Sequence, residues 1–69
     1  MNPNQDNIDT AMGIIIRNCR MRFDRNLGRA MANQQVEGML IGMVCIGAIT
    51  GEERVKLQKE MDKYVEAEI

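Results

Sequence analysis

The stretch from Gly38 to Gly51 contains no charged residue, and it limits the fold more than any other part of the chain. A helix predicted over roughly Val36 to Ala48 is apolar around nearly its whole circumference. The side chains responsible are Met39, Leu40, Ile41, Met43, Val44, Cys45, Ile46 and Ile49. Such a helix belongs in a protein interior. A bilayer span needs about 20 apolar residues, so we predict a buried core helix and no membrane association.

A first amphipathic helix is predicted upstream, because apolar residues recur there at spacings of three and four. The stripe consists of Ile8, Met12, Ile15, Cys19 and Phe23, continued by Leu27 and Ala30. We expect a disordered tail over residues 1–5 and a helix N-cap at Asp6 or Asn7. The helix is predicted to run to about Leu27, or on to Met31.

The position at which the apolar stripe ends predicts the junction between the first two helices. Gly28 either ends the first helix as a C-cap or only weakens it. Residues 32–35 lose the apolar periodicity, so we predict a bend there. Asn33 is then the expected N-cap of the core helix.

The sequence Thr50–Gly51–Glu52–Glu53 predicts a capping box at the start of a third helix. In it the Thr50 hydroxyl accepts from the backbone N–H of Glu53, and the Glu53 carboxylate accepts from the backbone N–H of Thr50. Its inward stripe is predicted to contain Leu57, Met61, Tyr64 and Val65. The expected fold class is therefore all-α. Two to three helices form a helical hairpin within one domain over residues 6–69.

One copy of this chain has too little surface to enclose its core helix. A domain of 69 residues is marginal, since a chain of this size buries only about 60% of its unfolded surface. We therefore predict a homo-oligomeric helical bundle, a dimer or larger, in which the leftover apolar surface forms the contact. The predicted interface residues are Ile14, Met21, Gly38, Gly42, Met39, Met43, Cys45 and Ile46.

The sequence holds no signature of catalysis, of a metal site or of a cofactor. There is no His, and Cys19 and Cys45 are interpreted as small core residues in a reduced, cytoplasmic protein. A nucleophile paired with a base is not recognisable, nor is a pair of buried acids. We predict that the protein is not an enzyme.

Arginines are the strongest candidates for a binding site. Five of them, and no lysine, occur between Arg17 and Arg29. On one continuous helix Arg22, Arg25 and Arg29 would lie within about 60° of one another, which makes them the first choice for gripping a phosphate or carboxylate. Arg17 and Arg20 are second choices. The alternatives are a solvated face, or ion pairs with the acidic third helix across a subunit contact.

Thr50 and Gly51 are a weaker candidate, because free N–H groups at a helix N-terminus can hold a phosphate. Glu52 and Glu53 place negative charge there, which favours a simple cap. The third helix is acidic overall and would repel duplex DNA, so a DNA-binding helix–turn–helix is not expected.

The apolar hairpin and the turn Gly47–Ala48–Ile49–Thr50–Gly51–Glu52–Glu53 resemble those of small bacteriophage proteins. In build the chain is similar to the anti-CBASS nucleotide sponges, compact helical oligomers that sequester cyclic nucleotide messengers. The resemblance implies a phage protein that evades host immunity by binding an anionic, nucleotide-like ligand. Two alternatives stay open: a module that inhibits or scaffolds a host protein, and an RNA-binding bundle of the Rop type.

Overall fold

Three helices make up most of the computed structural model, which describes the backbone of residues 3–69 and the side chains of residues 5–69. Helix α1 spans Pro3–Arg22, α2 spans Arg25–Cys45 and α3 spans Gly51–Glu68. The described residues contain no strand, so the all-α prediction is confirmed. Gly28 belongs to the first turn of α2, and it lies beside Cys19 and Ile69, near the ends of α1 and α3. Helix α2 is therefore antiparallel to both of its neighbours.

The core lies between α2 and the two helices that flank it. Helix α2 contributes a stripe at spacings of four, which carries Ala32, Val36 and Leu40 into full burial. The other buried apolar residues are Ile8, Met12, Ile16 and Cys19 of α1, Ile49 before α3, and Met61 and Val65 of α3. Helices α1 and α3 pack mainly against α2 and only slightly against each other. The outer side of α2 is consequently left open.

The junction between α1 and α2 lies at Phe23 and Asp24, so the prediction that the first helix continues to Leu27 or Met31 is wrong. The Asp24 carboxylate accepts a hydrogen bond from the backbone N–H of Leu27 at 2.9 Å, as an N-cap does. Asp24 itself is extended, with φ −65° and ψ 171°, and this reverses the chain. Leu27, counted in the first stripe, is exposed on α2.

No bend occurs at residues 32–35, which lie in the middle of α2. Ala32 is fully buried, whereas Gln34 and Gln35 point to solvent, so the apparent loss of periodicity is only the outer face of a helix. Gly28 is likewise no C-cap. It is buried inside α2, where the absence of a side chain lets the helix approach α1 closely.

Helix α1 begins at Pro3, earlier than the cap predicted at Asp6 or Asn7. Proline suits the first position of a helix, because its missing N–H has no partner there in any case. Of the tail predicted over residues 1–5, the first two residues lie outside the described part of the chain. Residues 3–5 belong to α1.

Helix α2 ends at Cys45, not at Ala48, in a Schellman turn around Gly47. The N–H of Ala48 donates to the carbonyl of Met43 at 2.9 Å, and that of Gly47 donates to the carbonyl of Val44 at 3.0 Å. Gly47 adopts φ +76°, a left-handed conformation that favours glycine.

The capping box at the start of α3 is confirmed. The Thr50 hydroxyl accepts from the Glu53 N–H at 3.1 Å, and the Glu53 carboxylate accepts from the Thr50 N–H at 2.9 Å. Met61 and Val65 are buried as predicted, but Tyr64 lies half in solvent.

The C-terminal half of α2 is not wholly enclosed in a single chain. Ile46 is 80% exposed, and Ile41 and Cys45 are also on the surface. Among the helices described here, none is both long enough and apolar enough to cross a membrane.

Candidate functional site

The five arginines do not lie on one helix, because the chain reverses at Asp24. Arg17, Arg20 and Arg22 belong to the end of α1, and Arg25 and Arg29 belong to the start of α2. The predicted arc of Arg22, Arg25 and Arg29 on a single helix face is therefore wrong. The turn creates a different neighbourhood at this end of the bundle.

Arg20 and Arg25 line one cleft at the corner between α1 and α2. The cleft has a volume of about 250 Å³, and its other lining residues are Phe23, Glu68 and Ile69. Both arginines are exposed, and neither makes an ion pair or a side-chain hydrogen bond with any residue that the structure describes. Two exposed arginines from different helices thus line one solvent-accessible cleft.

Arg29 has a structural role instead. Its Nη2 donates to the backbone carbonyl of Glu66 at 2.8 Å and so satisfies one of the carbonyl groups that the last turn of α3 leaves free. The side chain is half-buried between α2 and α3. Arg29 is consequently not available to a ligand in the way that Arg20 and Arg25 are.

Arg22 and Arg17 are exposed on α1 and do not line the cleft. Burial raises the pKa of the Cys19 thiol, and the nearby Arg22 guanidinium offsets part of that rise. Cys19 therefore stays a neutral thiol in the core, as its interpretation as a core residue requires. Cys45 differs from its prediction, because it lies on the surface of α2.

Thr50 and Gly51 lie at the opposite end of the molecule from the arginines. Helix α2 connects the two ends, and its 21 residues extend over about 30 Å. The Thr50 side chain and backbone are engaged in the capping box. The structure does not bring these residues into one site with the arginines.

Most of the predicted interface residues lie on the surface formed by α1 and α2. Ile14 is 53% exposed and Met21 is 78% exposed on α1. Met39, Met43 and Ile46 line a mostly apolar groove of about 340 Å³, which Asn7, Ile8, Ala11 and Ala48 complete. Gly38 and Gly42 are exposed, and a Cβ atom at either would meet nothing within 4 Å.

A polar interface between α2 and α3 was missed in the sequence. Glu37 approaches the Arg54 guanidinium at 4.0 Å, and Gln58 donates to Asp62 at 3.1 Å. The buried Arg29 Nε and Asn33 Oδ1 atoms have no hydrogen-bond partner in the described part of the chain. The sequence pattern that could have predicted this interface is a spacing of four residues between polar side chains. It occurs at Arg29, Asn33 and Glu37 on α2, and at Arg54, Gln58 and Asp62 on α3.

Residues 3–69 hold no cluster of three or more potential metal ligands. Comparison of the chain with protein-family models, with curated proteins and with solved structures gives no match. The functional proposal therefore starts from the side chains of this chain.

Proposed function

We propose that the protein is a non-enzymatic helical module that binds a phosphate-bearing, nucleotide-like ligand in the corner cleft. The observation behind this proposal is that Arg20 and Arg25 line one cleft without a partner in the described chain. A guanidinium group can donate two parallel hydrogen bonds to a phosphate, and two such groups fix its position. Phe23 in the same cleft offers a ring on which a base can stack.

The surroundings of the cleft both favour and oppose an anion. The first turn of α2 carries no acidic residue, so the partial positive charge of this helix terminus is not cancelled within the helix. The Asp24 cap and the Glu68 side chain in the cleft lower the local potential. Glu68 thus supplies a charge whose removal is expected to strengthen anion binding.

The size of the cleft limits what one copy can hold. Its volume of about 250 Å³ lies just below the range of roughly 300–1,000 Å³ that is usual for small-molecule sites. One phosphate and its sugar or base fit this space, and a larger ligand would extend beyond it. Because the sequence resembles anti-CBASS sponges in its pattern of helices, cyclic oligonucleotides are the first ligands to test. On that resemblance we propose that the protein sequesters host signalling nucleotides during phage infection.

Thermal unfolding in the presence of a nucleotide panel tests the proposal. The panel contains inorganic phosphate, mononucleotides, and linear and cyclic oligonucleotides. A ligand that binds only the folded state adds about 2.7 kcal/mol at one hundred times its Kd, which raises the Tm of so small a domain by roughly 10 °C or more. Calorimetric titration then measures the affinity directly.

Matched variants connect any binding to the cleft. Arg25→Glu is expected to abolish the Tm shift, and Glu68→Gln to enlarge it, because each changes the charge inside the cleft. Arg17→Glu changes the charge of an exposed arginine outside the cleft and is expected to retain most of the shift. The proposal is wrong if the whole panel gives neither a shift nor heat, or if Arg17→Glu and Arg25→Glu weaken binding equally.

A further inference from the structure

Helix α2 presents to solvent a face with almost no charge. Of the eleven exposed residues of α2, only Arg25 and Glu37 are charged: Arg25 is the first residue of the helix, and Glu37 lies on the side of α3, near Arg54. On α3, by contrast, eight of the twelve exposed residues are charged. A surface helix ordinarily carries its charges on the solvent side, and charged residues are depleted at the centres of protein interfaces. The outer face of α2 therefore has the composition of a contact surface.

This outer face contains a regular seam of six residues. They follow one another at spacings of four, three, four, three and four, which is the heptad pattern of two packed helices. At 100° per residue all six lie within about 40° of the direction opposite the fully buried Val36. The outer seam consists of five exposed residues, Leu27, Gln34, Gly38, Ile41 and Cys45, together with Met31, which is partly buried and also packs against the core.

The outer seam is complementary to itself when two copies of α2 lie antiparallel. A two-fold axis at the level of Val36 places Leu27 against the partner's Cys45, Met31 against the partner's Ile41, and Gln34 against the partner's Gly38. A two-fold contact requires this reciprocity, since every contact between two residues occurs twice, once on each side of the axis. Around Gly38 the space is open, with nothing within 4 Å of a Cβ position, so a neighbouring side chain can enter.

The distribution of charge also favours the antiparallel arrangement. The arginine end of the molecule holds five positive side chains, the arginines from Arg17 to Arg29, and three negative ones, Asp24, Glu66 and Glu68. Its net side-chain charge is therefore +2. The other end holds four negative side chains and two positive ones, so its net side-chain charge is −2. The acids are Asp6, Asp9, Glu52 and Glu53, and the bases are Arg54 and Lys56. Antiparallel packing sets the basic end of one copy beside the acidic end of the other, and parallel packing would join like charges.

We infer that a second copy of this chain covers the outer seam, with the two α2 helices antiparallel about a two-fold axis at Val36. The bundle extends 34 Å along its longest axis, which is enough for the two α2 helices to lie antiparallel over their whole length. The inference rests on the outer face of α2 and on the charges at the two ends of the molecule. It stands or falls independently of the nucleotide proposal.

Disulfide trapping tests the arrangement. In the Leu27→Cys variant, oxidised glutathione is expected to link the new thiol at position 27 to the partner's Cys45, because the two-fold axis brings these positions together. Within one chain they are about 27 Å apart along α2 and cannot be joined. Val55→Cys is the matched control, since it places a new thiol at a half-exposed apolar position on α3.

The expected result is rapid formation of a covalent dimer by Leu27→Cys, with peptide mapping that joins positions 27 and 45, and no such gain for Val55→Cys. Rapid linkage of wild-type chains through Cys45 alone would instead mean that the helices are parallel. That result would overturn the arrangement.

Sedimentation equilibrium tests the contact itself. Wild-type protein is expected to reach twice the chain mass of 7.8 kDa. Ile41→Lys places two charges in each dimer interface and should weaken association by about a hundredfold or more, with helix content unchanged by circular dichroism. Val55→Lys alters a residue of similar exposure, 49% against 43%, and should change association by no more than about twofold. A wild-type protein that stays at 7.8 kDa at every concentration overturns the inference.

Discussion

Gly28 lies where the first turns of α2 pass close to the end of α1. A Cβ atom at this position would be 3.1 Å from the carbonyl oxygen of Cys19 and 3.5 Å from Cγ2 of Ile69. The carbonyl belongs to a helix backbone and cannot move without shifting α1. An otherwise favourable increase in helix propensity is therefore opposed by a backbone contact.

We predict that Gly28→Ala lowers the free energy of unfolding by about 1 kcal/mol, because overpacking against a backbone costs about 1–3 kcal/mol and the gain in helix propensity is about 1 kcal/mol. Urea unfolding followed by circular dichroism measures the change. Gly13→Ala is the control: it lies in α1 with nothing within 4 Å of its Cβ position, so it should stabilise by about 0.5–1 kcal/mol. Equal stabilisation by both substitutions would contradict the close approach of α1 and α2.

At the scale of the helices, their N-terminal caps decide where α2 and α3 begin. Asp24→Ala and Thr50→Ala each remove a side-chain acceptor from a backbone N–H, and each is expected to destabilise the protein by about 1 kcal/mol. Thermal unfolding at a fixed protein concentration measures both. Glu52→Gln serves as the control, because it changes a first-turn charge next to the box without removing a cap. A loss for Thr50→Ala no greater than that of the control would refute the cap's contribution.

The caps also explain which helix boundaries could be predicted. The box at Thr50 was recognisable because Glu53 stands three residues later, just before an amphipathic stretch. Asp24 has no such companion, and the apolar stripe of α1 continues past it in the sequence through Leu27. Periodicity records only which residues share a face on a straight helix. It does not predict the reversal of the chain at Asp24.

For the arginine site, the sequence grouped Arg22, Arg25 and Arg29, whereas the structure groups Arg25 with Arg20. Arg20 and Arg25 meet in one cleft because the chain turns between them, and Arg29 is engaged by a carbonyl of α3. The first fact depends on the turn at Asp24, and the second on a contact between residues 37 positions apart in the sequence. The open outer face of α2 was partly visible in advance, because Gly38 and Cys45 stand in an uncharged stretch.

For the molecule as a whole, the two cysteines report separately on the core and on the outer seam. Cys19 is buried with a raised thiol pKa, so a chromogenic disulfide reagent should label it only through opening of the fold. Cys45 is exposed in a single chain and should react rapidly in dilute solution. The antiparallel dimer brings Leu27 of the second copy against Cys45 and limits access to this thiol.

We therefore predict that the labelling rate of Cys45 falls as the protein concentration rises, because the dimer becomes the dominant species by mass action. Stopped-flow absorbance over a series of concentrations measures the rate. In the Ile41→Lys variant the same rate should stay nearly constant over these concentrations, since association of that variant is about a hundredfold weaker or more. A wild-type Cys45 rate as fast as that of the Ile41→Lys variant at every concentration would mean that the outer seam stays open to solvent.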